Sequence, residues 1–167
     1  MRVNLISIFI AFFLISCGDQ IDFVYKSDKN FKNPIYNDTY VSISGINIPS
    51  VYKYSSMFFG NNSNGTYVLD IYVEEEKSKR SVQDNQAIKK EDFKITYRYK
   101  VYNTDLKCNI FAKNIVSRFT YEPKSSGYNF GSDQSLQNLY ELATKDSLQR
   151  FVDLLVNINF SLCLNES

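Results

Sequence analysis

The clearest pattern in the chain is a period of two between residues 93 and 101. The odd positions carry Phe93, Ile95, Tyr97, Tyr99 and Val101, whereas the even positions carry Lys94, Thr96, Arg98 and Lys100. Successive side chains of a strand point to opposite faces of a sheet, so this alternation is typical of a half-buried antiparallel strand. The pattern predicts a sheet with one apolar face and one basic face.

Three further segments are predicted to be strands. Thr39–Ile46 is rich in β-branched residues, and Tyr67–Val73 places its apolar residues on one side. In Cys108–Tyr121 the alternation is imperfect because Lys113 shares a side with apolar residues, and we expect a β-bulge near Lys113. The charged run between residues 74 and 90 is typical of a solvated hairpin tip, and we assign it no chemistry.

Two segments have helical spacing. A short helix is predicted for Ser50–Phe59, between Pro49 and the helix-ending Gly60. A longer helix begins at Ser132, with apolar or small residues at steps of three and four. These residues are Leu136, Tyr140, Ala143, Ser147, Phe151, Leu154 and Ile158. The order of elements predicts an α+β fold, a two-layer sandwich in which two helices cover one face of a mostly antiparallel four-stranded sheet.

The N-terminus has the layout of an export signal. Arg2 precedes an apolar run, Leu5–Ile15, which at about eleven residues is much shorter than the ~20 residues of a membrane-spanning helix. The run ends in Leu14-Ile15-Ser16-Cys17, which resembles the bacterial lipobox, where the cysteine is acylated and becomes the new N-terminus. An ordinary secretory signal peptide is the alternative.

The predicted lipobox divides the chain into four parts. We expect a signal peptide at 1–16, a lipidated tether at 17–36, one domain at 37–162 and a short tail at 163–167. Cys17 would carry the lipid, and several acyl chains on one residue suffice for stable anchoring. Gly18 after the cysteine resembles lipoproteins that reach the outer membrane, so we expect a protein anchored there on the periplasmic side.

Composition narrows the range of functions. The formal net charge of +1 argues against a general electrostatic attraction to nucleic acid. The chain contains no histidine, which excludes Ser-His-Asp triads and the common zinc sites. It also lacks a P-loop and a GxGxxG motif. We therefore expect a protein that is not an enzyme, with no catalytic residues, no metal and no cofactor.

If Cys17 carries lipid, Cys108 and Cys163 remain as a pair in an oxidising compartment. A strand of about fourteen residues and a returning helix of about thirty residues both span ~45 Å. The end of the helix would thus return Cys163 to the start of the strand that begins at Cys108. A disulfide and two free buried thiols both fit this arrangement.

The order of these elements resembles that of the LptE family, lipoprotein partners of the outer-membrane lipopolysaccharide translocon LptD. The resemblance rests on Cys17, the strand Phe93–Val101, the strand end Val116–Tyr121, and the helix Ser132–Leu155 with its Leu-Tyr-Glu sequence. It implies a protein seated in the lumen of an LptD-like β-barrel that assists insertion of lipopolysaccharide. Two other classes stay open: a lipid-anchored periplasmic ligand-binding module, and an auxiliary lipoprotein of an ABC-type lipid transporter.

Lipopolysaccharide binding would need cations for the lipid A phosphates. Lys94, Arg98 and Lys100 share one face of their strand, and Arg118 on the next strand joins them if the polar faces pair. These four residues are the candidate lipopolysaccharide-binding set. The same residues also fit the solvated face of an amphipathic sheet, or a face in contact with barrel side chains.

Overall fold

Four strands and two helices follow one another in the order that the sequence predicts. The computed structural model describes residues 33–80, 90–121 and 132–164, and within these ranges the helices pack against the sheet in an α+β fold. The elements are β1 (Thr39–Gly45), α1 (Ile48–Phe59), β2 (Tyr67–Arg80), β3 (Lys90–Asn103), β4 (Cys108–Tyr121) and α2 (Ser132–Leu155).

The sheet is mixed, with strand order β1-β2-β3-β4. β2, β3 and β4 pair antiparallel, and β1 pairs with β2 in parallel. A parallel pair needs a crossover, which α1 supplies. This helix begins at Ile48, two residues before its predicted start, and is followed by Gly60 at a φ of 76°. A Cβ at Gly60 would lie 2.0 Å from the side-chain oxygen of Asn37, so the chain can turn here only with glycine.

The charged segment after Val73 is strand rather than hairpin tip. β2 continues to Arg80, and Glu74 and Glu76 pair with residues of β3. Cross-strand ion pairs hold the outer face: Glu74 Oε1 lies 2.6 Å from the Arg98 guanidinium, and Glu76 Oε1 lies 2.9 Å from Lys94 Nζ. The prediction of a solvated tip at 74–80 was wrong because opposite charges on neighbouring strands support pairing without an apolar pattern.

The irregularity in β4 lies closer to its start than predicted. The register shifts between Val101 and Tyr102, whose partners are Phe111 and Asn109, and this leaves Ile110 as the extra, buried residue. Lys113 pairs regularly with Tyr99 and is exposed. Because β4 is an edge strand, a lysine on its helix-side face reaches solvent without a bulge.

The core lies between the helices and one face of the sheet. All five odd-numbered residues of β3 from Phe93 to Val101 are buried, as predicted. Phe151 of α2 stacks on Tyr99 with ring centroids 4.1 Å apart and also contacts Phe59 and Phe111. This aromatic cluster joins both helices to the middle of the sheet.

The buried face of α2 is wider than its predicted stripe. Tyr140, Ala143, Ser147 and Phe151 are buried as expected, whereas Leu154 is 37% exposed and the helix ends at Leu155, before Ile158. Additional buried residues are Thr144, Leu148, Val152 and Leu155. The buried face is wider than the predicted stripe because α2 packs against the sheet on one side and against α1 on another.

The domain extends beyond its predicted bounds on both sides. Residues 33–36 were assigned to the tether, yet Ile35 is fully buried and the Asn33 side chain donates a 2.7 Å hydrogen bond to the Phe58 carbonyl. At the other terminus, Leu164 N donates a 2.7 Å hydrogen bond to the Asn109 carbonyl. Residues 33–36 and 163–164 are therefore structural parts of the domain.

Candidate functional site

An open groove lies where β2 ends, β3 begins and β4 ends. It has a volume of about 500 Å³, and we call it the strand-end groove. Its lining combines cations, carboxylates and two phenylalanines: Glu76, Lys77, Ser78, Asp92, Phe93, Lys94, Arg118, Phe119 and Thr120. A site of this composition can hold a ligand that has an anionic group.

The sheet register arranges these residues in rows. Glu76, Lys94 and Arg118 form one row across β2, β3 and β4 on the face away from the helices. The neighbouring row places Phe93 opposite Phe119, and their rings stack with centroids 5.0 Å apart. Successive rows face opposite sides of the sheet, so the charged side chains open to the groove, whereas the two phenylalanine rings lie on the helix side, where both contact Tyr140.

The positive charge in the charged row is only partly neutralised. Lys94 forms an ion pair with Glu76 at 2.9 Å, whereas Arg118 is exposed and has no ion pair among residues 33–80, 90–121 and 132–164. Lys94 and Arg118 are direct cross-strand neighbours, and like charges in this position repel. A bound anion between the two side chains would relieve that repulsion and accept charge-assisted hydrogen bonds from both.

The structure brings together two of the four predicted cations. Lys94 and Arg118 meet in the strand-end groove, but Arg98 and Lys100 lie further along β3 and do not line it. Arg98 is paired with Glu74. Cys17, the predicted site of lipid attachment, lies outside the described residues.

Two residues of the groove were not among the sequence-based candidates. Lys77 lies 5.0 Å from the centroid of the Phe93 ring, a cation-π contact, and Phe119 supplies the second ring of the stack. The prediction that β2 stops at Val73 removed Lys77 from consideration. The cross-strand partner Phe93 is distant in sequence, so only the register of β2 against β3 could have identified this contact.

A disulfide joins Cys108 at the start of β4 to Cys163, with Cα atoms 5.8 Å apart. Of the two arrangements that the sequence left open, the structure has the bridge. It ties the segment after α2 to the edge strand, at the opposite end of β4 from the strand-end groove.

The buried tyrosines beneath α2 form structural hydrogen bonds. Tyr97 Oη lies 3.0 Å from Thr144 Oγ1, and Tyr99 Oη lies 2.8 Å from Ser147 Oγ. Burial raises the pKa of Tyr97 from 10.0 to about 12, and burial also raises the pKa values of Tyr99 and Tyr140. Tyr140 donates to Glu75. These hydroxyls stay protonated at neutral pH.

The described residues contain neither a cluster of metal-binding side chains nor a helix that could cross a bilayer. No group of three or more histidine, cysteine, aspartate or glutamate side chains in this part of the chain is placed to hold a metal ion. Within the same residues, neither α1 nor α2 has the length and apolar character that a bilayer-crossing helix needs.

Comparison with known proteins places the fold. No family model and no curated protein sequence matches the chain. Among solved structures, a candidate lipoprotein from Caulobacter crescentus is similar, with a TM-score of 0.54 and 10% identity over 74% of this chain and 90% of that one. The chain and this candidate lipoprotein share a fold.

Two other solved structures are more distant. A minor lipoprotein from Acinetobacter baumannii has a TM-score of 0.47 and 12% identity, covering 74% of this chain and 95% of that one. Rare lipoprotein B from Shewanella oneidensis also has a TM-score of 0.47 and 12% identity, covering 70% and 92%. At these identities the likeness concerns the fold, and function has to be argued from the residues.

Proposed function

We propose that this protein is a non-enzymatic lipoprotein, anchored through Cys17 to the periplasmic side of the outer membrane. In this proposal it partners a β-barrel translocon of the LptD kind and assists the assembly of lipopolysaccharide. The anchor is supported by the lipobox sequence at 14–17, and the LptE-like role by the order of the elements.

The strand-end groove is the main support for a role in lipopolysaccharide binding. Arg118 lies beside Lys94 without a carboxylate partner of its own in the described part of the chain, on the face of the sheet away from the helices. Lipid A carries phosphates, and two adjacent cations on one face of the sheet suit such a ligand. We assign the phosphate contact to Arg118, assisted by Lys94.

The binding role can be tested with Arg118→Ala and a matched control. Lys100→Ala removes an exposed cation from the same face of the sheet, outside the groove. Using purified lipid A as the probe and full-length protein, we expect Arg118→Ala to weaken binding about tenfold, the equivalent of ~1.4 kcal/mol. Lys100→Ala should bind as the native protein does. An equal loss of affinity in both variants would mean that lipid A binds to general surface charge and not to the groove.

The partner is tested separately by isolating tagged full-length protein from its native membranes in mild detergent. Recovery of a large outer-membrane β-barrel in a one-to-one complex is the expected result. Recovery of the lipoprotein alone would favour the ligand-binding module. Recovery with an inner-membrane transporter would favour the transporter auxiliary, and either of these results overturns the translocon role.

A further inference from the structure

The end of the domain opposite the strand-end groove is built from four segments, 33–37, 60–66, 103–107 and 156–164, which we call the basal end. Backbone hydrogen bonds connect these segments and their neighbours. Asn37 N donates to the Phe59 carbonyl at 2.9 Å, and Thr104 N donates to the Thr66 carbonyl at 2.9 Å. The Phe160 ring contacts Tyr67 with centroids 5.5 Å apart, which places the final segment at the same end.

Large apolar side chains are exposed on and beside the basal end. Met57, in the last turn of α1, is 67% exposed, and Leu162 is 63% exposed. Tyr36, Leu106, Val156 and Leu164 are also exposed, each by 43% or more. Single exposed apolar residues are ordinary on a protein surface, but several at one end of a domain indicate a surface that meets a partner or a membrane.

The same end is nearly free of charge. In its four segments only Asp105 and Lys107 are charged, whereas six of the seven residues at 74–80 are charged at the other end of the sheet. Asp38 borders the basal end, where its carboxylate accepts a 2.8 Å hydrogen bond from Thr66 N. A surface of Asn, Ser, Leu and Tyr side chains can enter the interface of a bilayer with little cost for desolvating ions.

The chain enters the domain at this end. Asn33 is held against the last turn of α1 by its hydrogen bond to the Phe58 carbonyl. Sixteen peptide steps separate Asn33 from Cys17, a maximum reach of about 55 Å. A lipid on Cys17 would therefore keep the basal end near the bilayer at a high effective concentration.

We propose that the basal end rests on the surface of the bilayer, with Met57, Leu106 and Leu162 among the side chains that contact lipid. The inference depends on the proposed anchor at Cys17 and places the domain on the membrane surface beside the barrel rather than within the barrel lumen. We propose a phospholipid surface as the partner because the chain enters the domain here, at Asn33, and because this surface carries almost no charge. The strand-end groove then faces away from the membrane.

The test uses full-length protein reconstituted in vesicles of phosphatidylethanolamine and phosphatidylglycerol that contain a photoactivatable phospholipid. After illumination, peptide mass spectrometry locates the lipid adducts. We expect them on peptides that contain Met57, Leu106 and Leu162. The double variant Leu106→Asn/Leu162→Asn should show a several-fold loss of labelling across the basal end. Leu142→Asn, which changes a 56% exposed leucine of α2, should leave labelling unchanged.

The experiment tests the anchor at Cys17 and the orientation of the domain by two separate readouts. Intact mass reports whether Cys17 is acylated, and an unmodified chain overturns the anchor together with the orientation built on it. An acylated protein whose adducts fall elsewhere, or in equal amounts on α2 and the basal end, overturns the orientation alone. Adducts between the basal end and a barrel protein in native membranes would do the same, because the occupant would then be protein.

Discussion

Two tyrosines of β3 position α2 over the sheet through their hydroxyl groups. Tyr97 contacts Thr144, and Tyr99 contacts Ser147, one turn further along the helix. Both partners are small hydroxyl residues within a stripe that otherwise buries apolar side chains. The hydrogen bonds fix the height of α2 along β3, which apolar packing alone specifies less sharply.

Tyr97 gives a prediction for stability at high pH. Its pKa is raised by burial to about 12, above the ordinary value of 10.0, so the protonated side chain contributes stability that is complete below pH 10 and is lost as the pH rises toward 12. The slope is about 1.4 kcal/mol per pH unit for one group. Tyr97→Phe should lower the free energy of unfolding at pH 7 by about 1 kcal/mol and make its alkaline decline shallower in urea titrations.

Thr144→Val is the matched control for this prediction. It removes the same hydrogen bond but keeps the buried phenol, so its alkaline decline should stay as steep as that of the native protein. Thr144 Oγ1 also donates to the Tyr140 carbonyl, which keeps the hydroxyl of Thr144 satisfied in the Tyr97→Phe variant. A native-like slope in Tyr97→Phe would contradict the assignment of the pKa shift to burial of Tyr97.

At the scale of elements, β4 is an edge strand of the described sheet and is fourteen residues long. Two shallow grooves of about 400 Å³ and 410 Å³ lie between this strand and α2, lined in part by Val116, Leu142 and Leu154. The backbone groups along such an edge can pair with those of another strand. Lys113 points to the helix side in the middle of β4, where its charge would be buried by an added strand.

Lys113→Val should therefore promote self-association. The substitution replaces the inward charge of an edge strand by a residue with high β-propensity, and dimers or larger species should appear in sedimentation experiments at micromolar concentration. Lys100→Val removes a lysine from the neighbouring inner strand and should remain monomeric. If Lys113→Val also stays monomeric, the edge is protected by something other than this charge.

The disulfide predicts a large effect on the stability of the domain. Cys108 and Cys163 are 55 residues apart, and closing a loop of that size in the unfolded chain corresponds to about 4 kcal/mol in the chain-entropy treatment. Cys108→Ser/Cys163→Ser should lower the free energy of unfolding by roughly 2 to 4 kcal/mol. Urea unfolding of this variant, beside reduced native protein as the control, measures the change. Unchanged stability in both samples would contradict a closed bridge in the folded protein.

Elements whose structure depends on a pattern within one segment were predicted correctly, whereas features that depend on pairing between distant segments were missed. β3 was predicted with its buried face because each odd position is apolar and each even position polar between Phe93 and Val101. The second half of β2 was missed because its pairing depends on Lys94 and Arg98, which lie 18 and 24 residues after their partners Glu76 and Glu74. For the same reason the sequence identified the cations of the candidate site but not which of them meet. Only the register selects Arg118 with Lys94 and leaves Lys100 outside.

On the scale of the whole domain, charge is distributed unevenly along the strands. The ion pairs of Glu74 and Glu76 with β3 lie toward the strand-end groove, whereas the basal end carries only Asp105 and Lys107 within its segments. Asn103 lies nine steps along β3 from Lys94, so about 30 Å lies between the groove and the basal end. A domain resting on its basal end would present the groove to the periplasm, where an incoming anionic lipid carrier or barrel could reach it.

This orientation predicts unequal reactivity of two lysines. Lys107 is exposed in the turn between β3 and β4, and Lys94 borders the groove. In vesicle-anchored protein, acylation of Lys107 by a water-soluble amine reagent should slow several-fold relative to Lys94, because headgroups cover the basal end. In the mature chain with Cys17→Ser, which lacks the lipid, the two rates should return to the ratio set by their exposure in solution. An equal ratio in both samples would mean that the anchored domain tumbles freely on its tether, and the groove would then have no fixed direction relative to the membrane.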